Sequence, residues 1–254
     1  MKIFILKSIL LFFLVLPQLK AFQPPSAIEN ITFYTEIYPP ANYLINDELK
    51  GISADTLKAI WKNLDIPEQE VLLVPWARGY KFTLDKSNTA LFTVSKTQPR
   101  EKLFKWVGPF FHSTHVLFAK KSKNFNFSNL QQVFNHTVVA VKDDISGISL
   151  HKMGFPAASL AEISQLEQAF LLMQSGRVDM MVTSIHAFEH LAKKSNLNTD
   201  AYEQVWQVNK TGNYLAFNIN TPDHIIQSYQ RAFDNIAKQR LTIKQQYDLS
   251  PAEY

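Results

Sequence analysis

The stretch that most constrains this chain runs from Ala90 to Phe111. Thr89 to Val94 is β-rich and alternates, so it reads as a strand. It delivers Ser95, Thr97 and Arg100 to the turn beyond its C-terminal end, the end at which open α/β sheets take their ligands. A polar turn with hydroxyls and one arginine suits a small carboxylate. The guanidinium can grip both oxygens while hydroxyl and amide donors fill the remaining lone pairs. The competing reading of Arg100 is a solvated ion pair with its neighbour Glu101, worth little. As a cleft residue, Arg100 is expected to be removable without disturbing the core.

The segments on either side alternate strand and helix. Residues 31–35 read as a strand, and the prolines after Ile37 and Tyr38 make residues 37–40 an extended loop that can present Tyr38. Past Gly51, Ser53 is the expected N-cap of a helix with Leu57, Ile60, Trp61 and Leu64 on one face. Residues 71–74 read as a short buried strand, Pro75 ends it, and residues 76–84 read as a second helix leading back to Thr89. Val116 to Ala119 is expected to close this lobe, with a hinge at Lys120, Lys121 and Lys123.

A second α/β lobe follows. Ser128 to Gln131 has capping-box spacing, residues 137–141 form a strand, and Ser164 to Glu167 opens a helix with Ala169, Phe170 and Met173 on one face. Gly176 ends that helix, residues 178–182 form the next strand, Ser184 can cap the helix after it, and residues 205–208 lie in a return strand. Residues 214–218 cross back, and Thr221 to Asp223 opens a helix whose Ile225, Ile226, Tyr229, Phe233 and Ile236 form a stripe for lobe one. A chain that leaves a lobe and returns makes two crossovers, which are a natural hinge. The expected organisation is residues 22–119 as the first part of lobe one, 120–212 as lobe two, and 213–254 as the return segment.

Thr97 to Arg100, followed by Phe104 to Phe110, resembles the Thr-Pro-Glu-Arg…Phe-Ser-x-Pro-Tyr signature of bacterial extracellular solute-binding proteins of family 3. These are the periplasmic receptors of polar amino-acid ABC importers and their relatives. The element order of the mature chain is similar, and Pro75 to Arg78 resembles a subgroup of them. The resemblance implies an α/β clamshell of the periplasmic-binding-protein type, with two lobes joined by two crossover strands. It implies that Arg100 takes a ligand carboxylate, helped by hydroxyls or amides at Thr93, Ser95 and Thr97. Tyr38 and Trp76 are candidates to sandwich an apolar ligand body, with Trp76 equally readable as core. Arg78 is a second anion contact or a helix-surface charge.

Lobe two departs from that pattern. The family's amino-binding aspartate, five residues beyond the aspartate of Gly-Arg-Val-Asp, falls at Ser184 when counted from Asp179. The family's Gly-Ser-Thr anion loop falls at Asp144, Ile145 and Ser146, which puts a carboxylate where glycine lets backbone amides approach. Asp144 is then an amine contact or a turn residue. Standard L-amino acids are expected to bind poorly, because a hydroxyl at Ser184 serves a buried ammonium only weakly.

The N-terminus carries Lys2 and Lys7 with an apolar run from Ile3 to Leu16, then Pro17 and the small-residue site ending at Ala21. That is a secretory signal pattern, with cleavage expected after Ala21, and the run is shorter than the ~20 residues a spanning helix needs. With no cysteine there is neither a lipobox nor a disulfide, so free periplasmic residence as a monomer is expected. Of 26 Lys and Arg, Lys2, Lys7 and Lys20 leave with the signal, so 23 face 22 Asp and Glu. No nucleic-acid footprint remains.

His186 to His190 matches H-x-x-E-H, but no distal zinc ligand follows, so no metal and no cofactor are expected. The expected activity is binding: two lobes close on a small carboxylate-bearing ligand and dock on a membrane permease. Two rivals are a cyclohexadienyl-dehydratase-like enzyme on the same fold, with Glu36 or Asp144 as the acid, and the input domain of a membrane sensor.

Overall fold

The computed structural model describes residues 30–195 and 198–247, so the signal segment at residues 1–21 lies outside the described residues. In chain order the elements are β1 (Thr32–Thr35), β2 (Tyr43–Ile45), β3 (Glu48–Lys50), α1 (Ile52–Asn63), β4 (Val71–Leu73), α2 (Trp76–Asp85), β5 (Thr89–Ser95), α3 (Gln98–Glu101) and β6 (Phe104–Lys120). They continue with α4 (Leu130–Val133), β7 (Val138–Val141), α5 (Ile145–Lys152), β8 (Leu160–Ile163), α6 (Leu166–Gln174), β9 (Met180–Ser184), α7 (Ile185–Lys194), β10 (Tyr202–Asn218), α8 (Asp223–Asn235) and α9 (Ala237–Gln246).

One eight-stranded sheet runs β4-β1-β5-β10-β6-β9-β7-β8, and β2 and β3 form a separate hairpin. Parallel pairing holds at both ends of the sheet, β4-β1-β5 and β9-β7-β8. The two 17-residue strands β6 and β10 pair antiparallel along nearly their whole length and carry the chain from one lobe to the other. This is the two-lobed α/β architecture with two crossover strands.

Burial follows the two lobes. Phe33, Trp61, Val107, Phe110, Phe217, Tyr229 and Phe233 share one core under α1 and α8. The other face of lobe one packs Tyr34, Trp76, Leu91 and Phe104 together. Lobe two holds one cluster on each face of its sheet: Val116, Phe118, Val139, Met181 and Phe188 on one, Leu117, Ala119, Val138, Leu150 and Met180 on the other. The near-continuous apolar runs of β5, β7 and β9 are what a strand covered on both faces needs.

Several local expectations change. Val116 to Ala119 pack in lobe two and pair with β9, so the crossing falls earlier, inside β6, and Lys121–Lys123 is an exposed 3-10 turn within lobe two. A crossover strand runs unbroken from Phe104 to Lys120 through both lobes, so no loop marks the boundary. Residues 71–74 form no buried strand: β4 is a sheet edge with Leu72 and Leu73 exposed. Gly51, not Ser53, caps α1; its φ of 125° and the collision a Cβ would make with the Ala41 carbonyl both demand glycine. Asn129, not Ser128, caps α4, accepting from the Gln132 amide at 3.2 Å, and the Gln132 side chain accepts from the Ser128 amide. Ser184 does cap α7, accepting from the Ala187 amide at 3.2 Å. No described helix is long and apolar enough to cross a membrane.

Candidate functional site

The parallel strands of lobe one end together, and their C-terminal ends face lobe two. Pro75 starts α2 with no amide to satisfy, which sets Trp76 at the first helical position over the end of β1 and β5. One turn further, Gly79 lets α2 lie close against Leu91 and Val74. Arg100 comes from α3, a single turn that follows β5 and begins at Thr97.

Arg100 is 4 % exposed, and its guanidinium lies over Trp76 (5.4 Å) and Tyr80 (5.2 Å). It donates from Nη2 to the Asp143 carbonyl of lobe two at 2.8 Å and from Nη1 to the Ser95 carbonyl at 3.4 Å. Burial pulls the guanidinium below its ordinary pKa, and the nearby Asp144 carboxylate acts in the opposite sense. Glu101 instead faces Lys96 at 3.5 Å, so the competing Arg100–Glu101 pair does not form. Because Arg100 is buried and bonded, its removal reaches the contact between the lobes.

Trp76 is buried too, and its indole N–H donates to the same Asp143 carbonyl at 2.9 Å. It is therefore packing residue and lobe-to-lobe contact at once. The Tyr38 hydroxyl donates to Ser184 Oγ of lobe two at 2.9 Å, so Tyr38 and Trp76 each end on lobe two. Burial, and then the Asp144 charge, raise the Tyr38 pKa. Ser184 is thus occupied twice, by Tyr38 and by the first turn of α7.

Thr93 sits in a β-bulge. Across from it β10 pairs Tyr214 with Val94 and Leu215 with Phe92, leaving Thr93 unpaired at φ 66°. A β-branched residue in the left-handed region is a true outlier, and bulges beside sites re-aim a side chain. Here the Thr93 hydroxyl is turned onto Asn42 Oδ1. Asn42 is fully buried and its amide nitrogen donates to the Glu36 carbonyl at 2.8 Å, holding the loop that carries Tyr38. Ser95 Oγ pairs with Thr211 Oγ1 of β10 at 2.9 Å. Thr97 is half-buried at the α3 N-cap and makes no side-chain cap bond.

In lobe two, Asp144 caps α5: its carboxylate accepts from the Ser146 amide at 3.2 Å and from Ser146 Oγ at 2.8 Å. Across the cleft Glu36 has its pKa raised well above its ordinary value by burial first, then by the Asp144 and Glu167 charges. Glu36 and Glu167 line one interlobe cavity of about 430 Å³, with Lys194 and the Val74–Pro75 edge. Arg78 is not brought to this cleft: it is exposed on α2, the helix-surface reading of the two.

Three contributors were invisible as site residues in the sequence: Asn42, Thr211 and the Asp143 carbonyl. Asn42 and Thr211 carry no motif, and a backbone carbonyl leaves no mark in residue type. Asp143 lies at φ 59°, which its short polar side chain tolerates, and only that turn aims its carbonyl at lobe one. In the H-x-x-E-H segment, His186 Nδ1 lies 3.2 Å from Glu189 Oε2 on the same helix, while His190 packs on Tyr43 of the β2–β3 hairpin with ring centroids 5.1 Å apart.

No protein-family model matches this sequence, and comparison with curated proteins finds no match. Solved structures do match. A histidine kinase sensor domain with similarity to periplasmic binding proteins has a TM-score of 0.78 at 16% identity, covering 87% of this chain and 98% of its own. An ABC uptake transporter substrate-binding protein from Streptococcus pneumoniae with bound histidine has 0.77 at 13% identity, covering 87% and 93%. A mutant of ArgBP from T. maritima has 0.76 at 15% identity, covering 87% and 99%. The chain has the two-lobed periplasmic-binding-protein fold.

Proposed function

We propose that this protein is a periplasmic solute-binding receptor of the family 3 type, which closes on a small carboxylate-bearing ligand and hands it to an ABC importer. The observation that carries the reading is Arg100. A guanidinium nine-tenths buried at the ends of parallel strands, flanked by two aromatic rings and facing a second lobe, is built to take an anion between lobes. Ligand-biased closure about the β6–β10 crossovers is the mechanism, since a ligand that touches both lobes favours the closed arrangement by its differential affinity. Thr97 and the amide-bearing turn before α3 stand beside Arg100 as further partners for the carboxylate. Binding rather than catalysis is the role, with the chain acting as a monomer.

Lobe two sets the limits on the ligand. With Ser184 engaged by Tyr38, an ammonium group on the ligand would have to be met by Asp144 and Glu36, which face each other across the cleft. A thermal-shift screen of amino acids, dicarboxylates and aromatic acids, followed by calorimetry, tests the reading. A true ligand at a hundredfold excess over its dissociation constant stabilises by about 2.7 kcal/mol. Its affinity should fall roughly thirtyfold or more in Arg100→Ala, the effect of truncating one member of a desolvated charge pair. A ligand whose affinity is unchanged in that variant would remove Arg100 from the site.

A second reading is the input domain of a membrane sensor, and the likeness to a histidine kinase sensor domain supports it. Ligand-dependent autophosphorylation of a partner kinase, without stimulation of any importer ATPase, would favour it.

A further inference from the structure

The Asp143 carbonyl accepts two hydrogen bonds from lobe one, from Trp76 Nε1 at 2.9 Å and from Arg100 Nη2 at 2.8 Å. Both donors are 4 % exposed, so neither bond is exchanged cheaply for water. The acceptor is carried by a turn in which Asp143 is left-handed and Asp144 is tied down by the Ser146 amide and hydroxyl at the start of α5. A carbonyl oxygen held at 2.8 Å from Nη2 stands where one oxygen of a carboxylate would stand. The geometry points to an internal competitor: the turn at residues 142–144 plugs Arg100 when the lobes meet, so this latch and an anion on Arg100 exclude each other. The competition rests on the carboxylate reading above, whereas the latch itself does not.

Two energetic consequences follow. The latch stabilises the closed lobes with no ligand contributing, and any anion must displace it, so the apparent affinity for an anion is the intrinsic one multiplied by the fraction of molecules in which the latch is open. Trp76 is the residue through which the two effects separate, because Trp76→Phe keeps an aromatic ring beside Arg100 while removing the N–H along with the five-membered part of the indole.

The chain has no cysteine, so Lys62→Cys on α1 and Lys152→Cys at the end of α5 take a spin-label pair without background. Interlabel distances are recorded for the parent and for Trp76→Phe, and for Arg100→Met, which removes the other donor and keeps the test available if one variant folds poorly. The Arg100 side-chain nitrogen signals are then followed by NMR during titration with sodium acetate, in the parent and in Trp76→Phe. The expected result is a shift of the distance distribution to longer values in either variant, and an acetate midpoint at least threefold lower in Trp76→Phe. Unchanged distances overturn the latch, whatever acetate does. Longer distances with equal acetate midpoints overturn the competition and leave the carboxylate reading standing. Longer distances with no acetate effect on Arg100 in either protein overturn the competition and the carboxylate reading together.

Discussion

Lobe one reaches and lobe two receives. Tyr38, Trp76 and Arg100 donate hydrogen bonds across the cleft from lobe one, and lobe two accepts them with a backbone carbonyl at Asp143 and the short hydroxyl of Ser184. Both lobes do this from ring-rich cores. Lobe one is built around interlocked rings, with Phe33 and Trp61 at 5.1 Å, Phe217 and Tyr229 at 5.0 Å, and Phe110 stacked on Phe233 at 5.4 Å. Lobe two has a ring cluster of its own among the Val, Ala and Met of its sheet faces, where Phe188 stacks on Phe118 and meets Phe170 at 5.9 Å and Tyr202 at 5.3 Å. Long side chains aim accurately only from a rigid base, whereas a carbonyl is aimed by its turn alone. The contrast teaches that the two halves of one site can be specified in different currencies, residue type on one side and backbone conformation on the other.

The largest effect expected from this contrast lies in the lobe-one core. Trp61→Ala removes a ring packed on Phe33 and the N–H that donates to the Tyr229 hydroxyl at 3.2 Å, so urea unfolding should show a loss of about 3–5 kcal/mol. An equal loss in Met173→Ala, from lobe two, would show that the two lobes depend on their cores to the same degree.

Arg100→Ala comes next. It withdraws donors from the Ser95 and Asp143 carbonyls, of which Asp143 keeps Trp76, and should cost about 1–3 kcal/mol by the same measurement. A change within error would return Arg100 to the solvated class.

Ser184→Ala sharpens the receiving side, because it deletes both the α7 cap and the acceptor for Tyr38. Thermal unfolding should report about 0.5–2 kcal/mol, and Tyr38→Phe, which spares the cap, should cost less than Ser184→Ala. If Tyr38→Phe costs the same, the cap contributes nothing.

The smallest effect is a slope. The folded Glu36 carboxyl titrates above its unfolded value, so its contribution to stability is complete at pH below the ordinary carboxylate range. That contribution is lost as pH rises through the raised pKa. Stability measured across this window should therefore decline in the parent, and the decline should be shallower in Glu36→Gln, whose side chain stays neutral. An identical decline in both would place the titrating group elsewhere.

Many strands and helices of both lobes, the return of the chain to lobe one, and the turn carrying Arg100 were legible from local pattern, whereas β2, β3, β8, α5 and α9 were not. Apolar period, proline and glycine positions act within a few residues, and β1, α1, α2, β5 and α8 obey them. Boundaries were less legible where neighbouring cues competed, as at Gly51 against Ser53 and Asn129 against Ser128. The lobe boundary inside β6 was not legible at all, since one unbroken strand serves both cores and no loop separates them.

The sequence by itself determined that an arginine with hydroxyl neighbours would stand at the end of a central strand, because the residues that do this are contiguous from Thr89 to Arg100. Only the tertiary structure decided what that arginine meets. The bulge that turns Thr93 onto Asn42, the left-handed turn that aims the Asp143 carbonyl, and the approach of Ser184 to Tyr38 join residues 43 to 146 positions apart or depend on pairing with β10. Such contacts are set by how sheets pair and lobes pack, and no local preference of the residues involved encodes them.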